Sequence, residues 1–267
     1  MKSLKIIEDY VINKGAGIER IVELVLENMI GEFSLFAYTS ALESLGTGDS
    51  DLDIYVIYQS EETYKKLMLI KTIKIGLYGE LVHNTLIHDL KCDIEYWKID
   101  KLNEIGKKII VTKGIGIERE QLKIFHRLYV GCELYNGGLS KTIHNIVNEI
   151  NIGESILNNY LLLARSIYDD AYTLAKYGEW IPALSEGRQS MLEVLGAYNA
   201  LNGHPNLKRK WVEKIFIDNM AFGNDELLQK FYVDYLYIKV NKNNINTVVS
   251  KLLYLVQDIL IKIEMEI

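Results

Sequence analysis

Two pairs of carboxylates stand out by their spacing. In Asp51-Leu52-Asp53-Ile54-Tyr55-Val56 acidic residues alternate with others, and successive side chains of a strand face opposite ways. Asp51 and Asp53 would then share one face while Leu52, Ile54 and Val56 enter a core. The stretch LKCDIEYW repeats the pattern, with Asp93 and Glu95 on one face and Cys92, Ile94 and Tyr96 on the other. Neighbouring carboxylates repel each other, and a divalent cation removes that penalty. If the two strands lie side by side, three or four carboxylates converge. Such a cluster can hold two Mg²⁺ ions about 4 Å apart for in-line phosphoryl chemistry. Asp49, Asp51 and Asp53 also have the spacing of the first three ligands of an EF-hand calcium loop. That loop needs glycine at its sixth position and glutamate at its twelfth, where this chain has Ile54 and Ser60.

The elements that must position these acids are legible around them. Glu19–Met29 carries apolar residues at helical spacing, Glu32–Thr39 and Asp51–Tyr58 read as strands, and Gly46, Thr47, Gly48, Asp49 and Ser50 mark a turn between them. A helix is expected over Ser60–Ile70 and a further strand within Leu86–Ile99. This mixture predicts a sheet packed by helices. From Arg119 onward the periodicity is helical: Gln121–Val130, Ser140–Ile150, Ser155–Tyr177, Pro182–Leu201, Lys210–Met220, Asp225–Lys239 and Ile245–Ile263, with glycine-containing stops between several of them. The expected division is residues 1–118 and 119–267. KGAGIER (Lys14–Arg20) and KGIGIER (Lys113–Arg119) differ at one position and each precedes a helical stretch. Seven residues do not make an architectural repeat.

Composition narrows the classes. The 267 residues are 49% hydrophobic and 25% charged with two prolines, as in an ordinary globular protein. A net charge of −6 disfavours a long nucleic acid, whose binding rests on basic surface, and favours a small-molecule or protein acceptor. Apolar runs are too short to span a bilayer, and the first residues lack the apolar core of a signal peptide, so a cytoplasmic protein without membrane attachment is expected. Cys92 and Cys132 are the only cysteines and read as reduced core residues. The five histidines show no metal-ligand spacing, and the 18 tyrosines read as packing residues.

With these residues in view, YTSALESLGTGDSDLDIYVI resembles the signature of the DNA polymerase β-type nucleotidyltransferase superfamily: a serine, ten residues, then Asp-x-Asp in a strand, and a later strand with a third acid, here KCDIEYW. The helical half, through QLKIFHRLYVGCEL, LARSIYDDAYTLAKYGEW and ALNGHPNLKRKW, resembles the helical domains of small aminoglycoside-modifying and toxin–antitoxin-associated members. The resemblance implies an α+β fold, with an N-terminal nucleotidyltransferase mixed sheet flanked by helices followed by an all-α helical bundle that binds the acceptor or dimerises. It implies that Ser40, after Thr39, holds the terminal phosphates of ATP or another NTP, that Asp51 and Asp53 ligate Mg²⁺, and that Asp93, or Glu95 on the same face, is the third carboxylate. Thr39 stands where the family has glycine. Arg127 and Lys210, with Arg188, Lys208 and Arg209, are the candidate cations for phosphates or an acidic acceptor. The implied reaction moves a nucleoside monophosphate, AMP foremost, to a hydroxyl of a small molecule or, second, a protein. The alternative is a nucleotidyltransferase-like antitoxin or partner-binding protein that modifies or masks a protein partner. A terminal nucleotide-adding polymerase acting on RNA is disfavoured by the acidic charge.

Overall fold

A computed structural model describes residues 2–46, 50–220 and 236–267. Thr47, Gly48 and Asp49 of the expected turn, and most of the helix expected over Asp225–Lys239, lie outside the described residues. The chain folds as two compact units: residues 1–111 with 124–150, and residues 112–123 with 151–267.

The first unit is built on a six-stranded mixed sheet. Its strands are β1 (Phe33–Tyr38), β2 (Leu52–Tyr58), β3 (Lys74–Ile75), β4 (Leu81–Ile87), β5 (Leu90–Lys98) and β6 (Cys132–Gly137), in the order β3-β4-β5-β2-β1-β6. β2 and β5 run parallel, and the other pairs are antiparallel. Leu52, Ile54 and Val56 of β2 and Cys92, Ile94 and Tyr96 of β5 share one core cluster with Leu35 and Ala37 of β1. Helices α1 (Lys2–Asn13), α2 (Ile18–Leu26) and α3 (Glu61–Met68) cover that face with Ile7, Val11, Ile21, Val25 and Leu67. Ser60 caps α3, its hydroxyl accepting from the amides of Glu62 and Thr63. The opposite face carries Ser34, Phe36 and Tyr38 of β1 together with the acids. Ser34 bonds Ser140 of α6 (Ser140–Glu149), Phe36 meets His144 edge-on, and Tyr38 meets His126 of α5 (Arg119–Val130). α4 (Ile99–Thr112) comes close to the same layer where Gly106 meets Ile146 and Phe125.

The second unit is helical: α7 (Ile152–Lys176), α8 (Trp180–Leu201), α9 (Arg209–Met220) and α10 (Ile245–Glu266). α7 and α8 form a hairpin through Gly178 at φ +80°. Gly196 of α8 leaves room for the Tyr160 ring, which a Cβ would meet at 2.3 Å. The segment that opens the unit is pinned by α7: Asn158 donates to the Lys113 carbonyl at 3.0 Å and Asn159 to the Ile117 carbonyl at 2.8 Å. Arg119 completes this with an ion pair to buried Glu193 and its guanidinium 4.5 Å from the Tyr160 ring.

The α+β class expected from the sequence is the one observed. Two expectations need correction. The sequence after Arg119 is not wholly helical, because Cys132–Gly137 forms β6 beside β1. The boundary after residue 118 therefore moves: residues 124–150 belong to the sheet unit, since their strand completes its edge. α1, α4, β3 and β4 were also not foreseen. Both KGxGIER segments lead into helices, α2 and α5, with Gly15 and Gly114 in the left-handed region at φ +71° and +83°.

Candidate functional site

The strand β1 ends at Thr39, whose backbone is extended (φ −139°, ψ 152°), and a short 3₁₀ turn follows over Ser40–Glu43. The amides of Leu45 and Gly46 return to the Ser40 carbonyl at 3.0 and 3.1 Å. A Cβ on Gly46 would stand 2.8 Å from the Ala41 nitrogen and 3.1 Å from Ser40 Oγ, so glycine is what lets the chain close over the serine. Ser40 is buried and donates to Ser50 Oγ at 3.0 Å, while Tyr10 donates to the Ser50 carbonyl. Ser50, which leads into β2, is thereby held by Ser40 and by Tyr10 of α1. The extended backbone of Thr39 does not require glycine. Its side chain is fully buried, and its hydroxyl is without a hydrogen-bond partner among the described residues.

The strand register brings the acids together as their alternation demands. Asp53 lies directly beside Asp93 across the parallel β2–β5 pair, and Tyr55 beside Glu95. Asp51 is exposed, Asp53 is buried, and Asp93 and Glu95 are half-buried. Each has a different environment. Asp93 accepts a hydrogen bond from Asn84 of β4. Glu95 accepts one from the Trp97 indole at 3.0 Å. Asp53 faces Arg127, its Oδ2 3.2 Å from the guanidinium.

Arg127 is the residue that spacing could not foresee in this position. It lies on α5 with only 4% of its side chain exposed, donates to the Tyr55 hydroxyl, and reaches Glu95 at 4.0 Å. Its guanidinium carbon lies 5.2 and 5.8 Å from the ring centres of Tyr38 and Tyr55. Burial alone would weaken its charge, but Tyr55, Asp53 and Glu95 outweigh that and hold it firmly protonated. Burial also pushes the Tyr55 hydroxyl far above its ordinary range, so that phenol is neutral and the compensating charge comes from the two acids. Beside this group, Tyr38 donates to Glu43, and buried His126 lies 3.5 Å from the same carboxylate.

Among the described residues no group of three or more His, Cys, Asp or Glu side chains is gathered closely enough to hold a metal ion. Asp51, Asp53 and Asp93 therefore form no preassembled three-ligand cage. Mg²⁺ is characteristically bound through one or two carboxylates with substrate phosphates supplying further oxygens, and Asp53 and Asp93 are the two acids that the strand register sets side by side. Of the other expected cations, Lys210 belongs to the second unit, where its ammonium lies 4.9 Å from the Trp211 ring centre, and Arg188 there donates to the Ile238 carbonyl at 2.8 Å. Among the described residues no helix is long and apolar enough to cross a membrane.

No protein-family model matches the chain, and no curated protein matches it. Among solved structures it is similar to a nucleotidyltransferase-like protein from Exiguobacterium sibiricum, with a TM-score of 0.50 and 12% sequence identity over 91% of this chain and 73% of that one. At that identity the likeness is one of architecture: the chain has a nucleotidyltransferase-type fold.

Proposed function

We propose that the protein is a Mg²⁺-dependent nucleotidyltransferase that moves a nucleoside monophosphate, AMP from ATP foremost, to a hydroxyl of an acceptor. The observation that carries this reading is the pairing of Asp53 with Asp93 across parallel strands, with Ser40 bonded to Ser50 just before β2. In the reaction the acceptor oxygen attacks the α-phosphorus, a new P–O bond forms, and the α–β phosphoanhydride bond breaks to release pyrophosphate. Asp93 receives the hydroxyl proton; its fixed contact with Asn84 orients it. It is preferred to Glu95, which is occupied by Trp97 and Arg127. Ser40 binds the terminal phosphates. Asp51, Asp53 and Asp93 are the residues that would hold Mg²⁺, which when bound neutralises phosphate charge in the transition state. A small molecule is favoured as acceptor over a protein, and the net charge of −6 disfavours a long nucleic acid as substrate.

One observation favours the second reading, a nucleotidyltransferase-like protein that binds a partner: Arg127 faces Asp53 and Glu95, so part of the acids' charge is already balanced within the protein. The two separate by experiment. Thermal stabilisation is measured with each NTP, with and without Mg²⁺, followed by incubation with α-labelled NTP and cell-extract acceptors. An enzyme gives an Mg²⁺-dependent rise in melting temperature and a labelled product, both lost in Asp51→Ala, whose exposed side chain leaves the fold intact. No shift with any nucleotide refutes nucleotidyl transfer and leaves the partner-binding protein.

A further inference from the structure

We infer that the acceptor stands over β4 and β5, on the side of the acids away from Ser40, and that Lys91 selects one whose hydroxyl lies close to a single negative charge: a hydroxy acid with an apolar body. This rests on the transfer reaction proposed above. The strand register lays out the face row by row. Leu90, Cys92 and Ile94 of β5 enter the core cluster, so Lys91, Asp93 and Glu95 share the opposite face. On β4, Leu86 stands opposite Lys91, Asn84 opposite Asp93, and Val82 opposite Glu95. The hydrogen bond from Asn84 to Asp93 places these side chains on one side of the sheet. On the other flank Asp53 stands beside Asp93, and β1 pairs with β2 so that Tyr38 lies opposite Asp53. Ser40, two residues beyond Tyr38, is therefore on the far side of β2 from β5, where it bonds Ser50.

In-line displacement puts the entering and leaving oxygens on opposite sides of the phosphorus. With the terminal phosphates at Ser40, pyrophosphate leaves towards β1 and the acceptor oxygen enters from over β5 and β4. Asp93 stands there to take the proton, and its neighbours on that side decide what can bind. Leu86 is 63% exposed and, with half-buried Val82, offers apolar surface on either side of Asn84. Lys91 is exposed, and among the described residues it makes no ion pair, whereas Arg127 is taken up by Asp53 and Glu95. Lys91 stands two residues from Asp93, about 7 Å along the strand, and its flexible four-carbon stem lets the ammonium reach a group bound next to the hydroxyl. The acids serve the phosphates and the proton, which leaves Lys91 as the charge that faces the body of the acceptor. A cationic acceptor would be repelled by it. A phosphate monoester would bring a second negative charge beside Asp51 and Asp93 with no second cation to meet it. A monoanion avoids both penalties.

The test uses the full chain with Mg²⁺ and α,β-methylene ATP, whose α–β bridge cannot be broken by transfer. Three probes of similar size differ in charge: 3-phenyllactate, its neutral amide 3-phenyllactamide, and the cationic phenylalaninol. Their binding is followed by ligand-observed NMR titration, with and without the nucleotide, for the wild type, Lys91→Met, Lys91→Arg and Lys91→Glu. Lys91 is exposed, so these variants should fold as the wild type does. The wild type should bind the acid about threefold more tightly than the amide and about tenfold more tightly than the amine. Lys91→Met should abolish that order, Lys91→Arg keep it and Lys91→Glu reverse it, with affinity for the ATP analogue unchanged throughout. Equal binding of the three probes by the wild type, no binding of any, or an order that survives Lys91→Met would overturn the inference. So would a loss of nucleotide affinity in Lys91→Met, which would assign the lysine to the donor's phosphates. A chain that binds no nucleotide sinks the transfer reaction instead, and the probe order measured without nucleotide tells that failure apart from this one.

Discussion

Neutralising Asp53 distinguishes the arrangement around Arg127 from a bare cluster of acids. In a bare cluster, Asp53→Asn removes a repulsion and stabilises the protein. With Arg127 in place the same substitution removes an attraction. At an effective dielectric constant of about 20, a unit charge pair at 3.2 Å has a gross attraction of about 5 kcal/mol, and one at 4.0 Å about 4 kcal/mol. Most of this is offset by the cost of taking the charges out of water. The relevant quantity is therefore what each substitution leaves behind. Asp53→Asn keeps an oxygen able to accept from the guanidinium and leaves Glu95 as counter-charge, so about 1–2 kcal/mol should be lost. Glu95→Gln, at the more distant and more exposed acid, should cost about 1 kcal/mol or less. The double variant leaves a buried guanidinium with no carboxylate partner, and breaking a buried pair in that way costs about 3–5 kcal/mol.

The signature is therefore non-additivity: the double variant should lose at least about 1 kcal/mol more than the two single variants together. Urea unfolding of the four proteins, followed by circular dichroism at low ionic strength and without divalent metal, measures it. Strict additivity, or a rise in stability for Asp53→Asn, would refute the view that Arg127 holds the two acids together.

Further outcomes follow from particular contacts. Burial raises the Cys92 thiol and the Tyr96 phenol to about 12 and pushes Tyr38, Tyr55 and Tyr58 upward too. All are neutral acids with raised values in the fold, so their contribution is full below their unfolded values and is lost as pH climbs from about 9 towards 12. The urea midpoint should fall across that window, and a flat profile to pH 11 would contradict it. Gly15→Ala and Gly114→Ala both place a Cβ at positive φ, at a cost of about 1–2 kcal/mol. Gly114→Ala should cost distinctly more, because its Cβ would meet the Ser155 carbonyl oxygen at 2.2 Å while that of Gly15 meets nothing within 4 Å; equal melting temperatures would count against this. Gly46→Ala should reduce nucleotide-induced stabilisation more than it changes the stability of the free protein, since its Cβ presses on Ser40 and Ala41.

How much was legible in the sequence depended on how local the determining physics is. The alternation of β2 and β5 is a two-residue period set by the pleat, so the core-facing set of Leu52, Ile54, Val56, Cys92, Ile94 and Tyr96 could be read directly and is the set observed. Long amphipathic helices such as α7 and α10 were legible for the same reason at a period of 3.6. β6 was not. Cys132–Gly137 is a six-residue edge strand whose burial is uneven, and its strand character comes from pairing with β1, about a hundred residues earlier, through a register irregularity at Leu35/Phe36. Short strands of that kind owe their form to a distant partner more than to propensity. β4, with polar His83 and Asn84 at its centre, escaped notice similarly.

Arg127 shows where local reading ends. Its residue type marked it as a candidate for phosphate, because a guanidinium matches phosphate and carboxylate alike. Which of the two it meets depends on where the end of α5 lies over the sheet, and that is settled by β6, the strand that periodicity hid. Once residues 124–150 belong to the sheet unit, Arg127 belongs to the acids rather than to a separate helical bundle. The missed strand and the mistaken boundary are therefore one error, and it had a chemical consequence. An apparently uncompensated cluster of four acids calls for metal at every vacancy. The same acids with an arginine fixed among them divide into Asp53 and Glu95, which face the guanidinium, and Asp51 and Asp93 on the same face of the sheet.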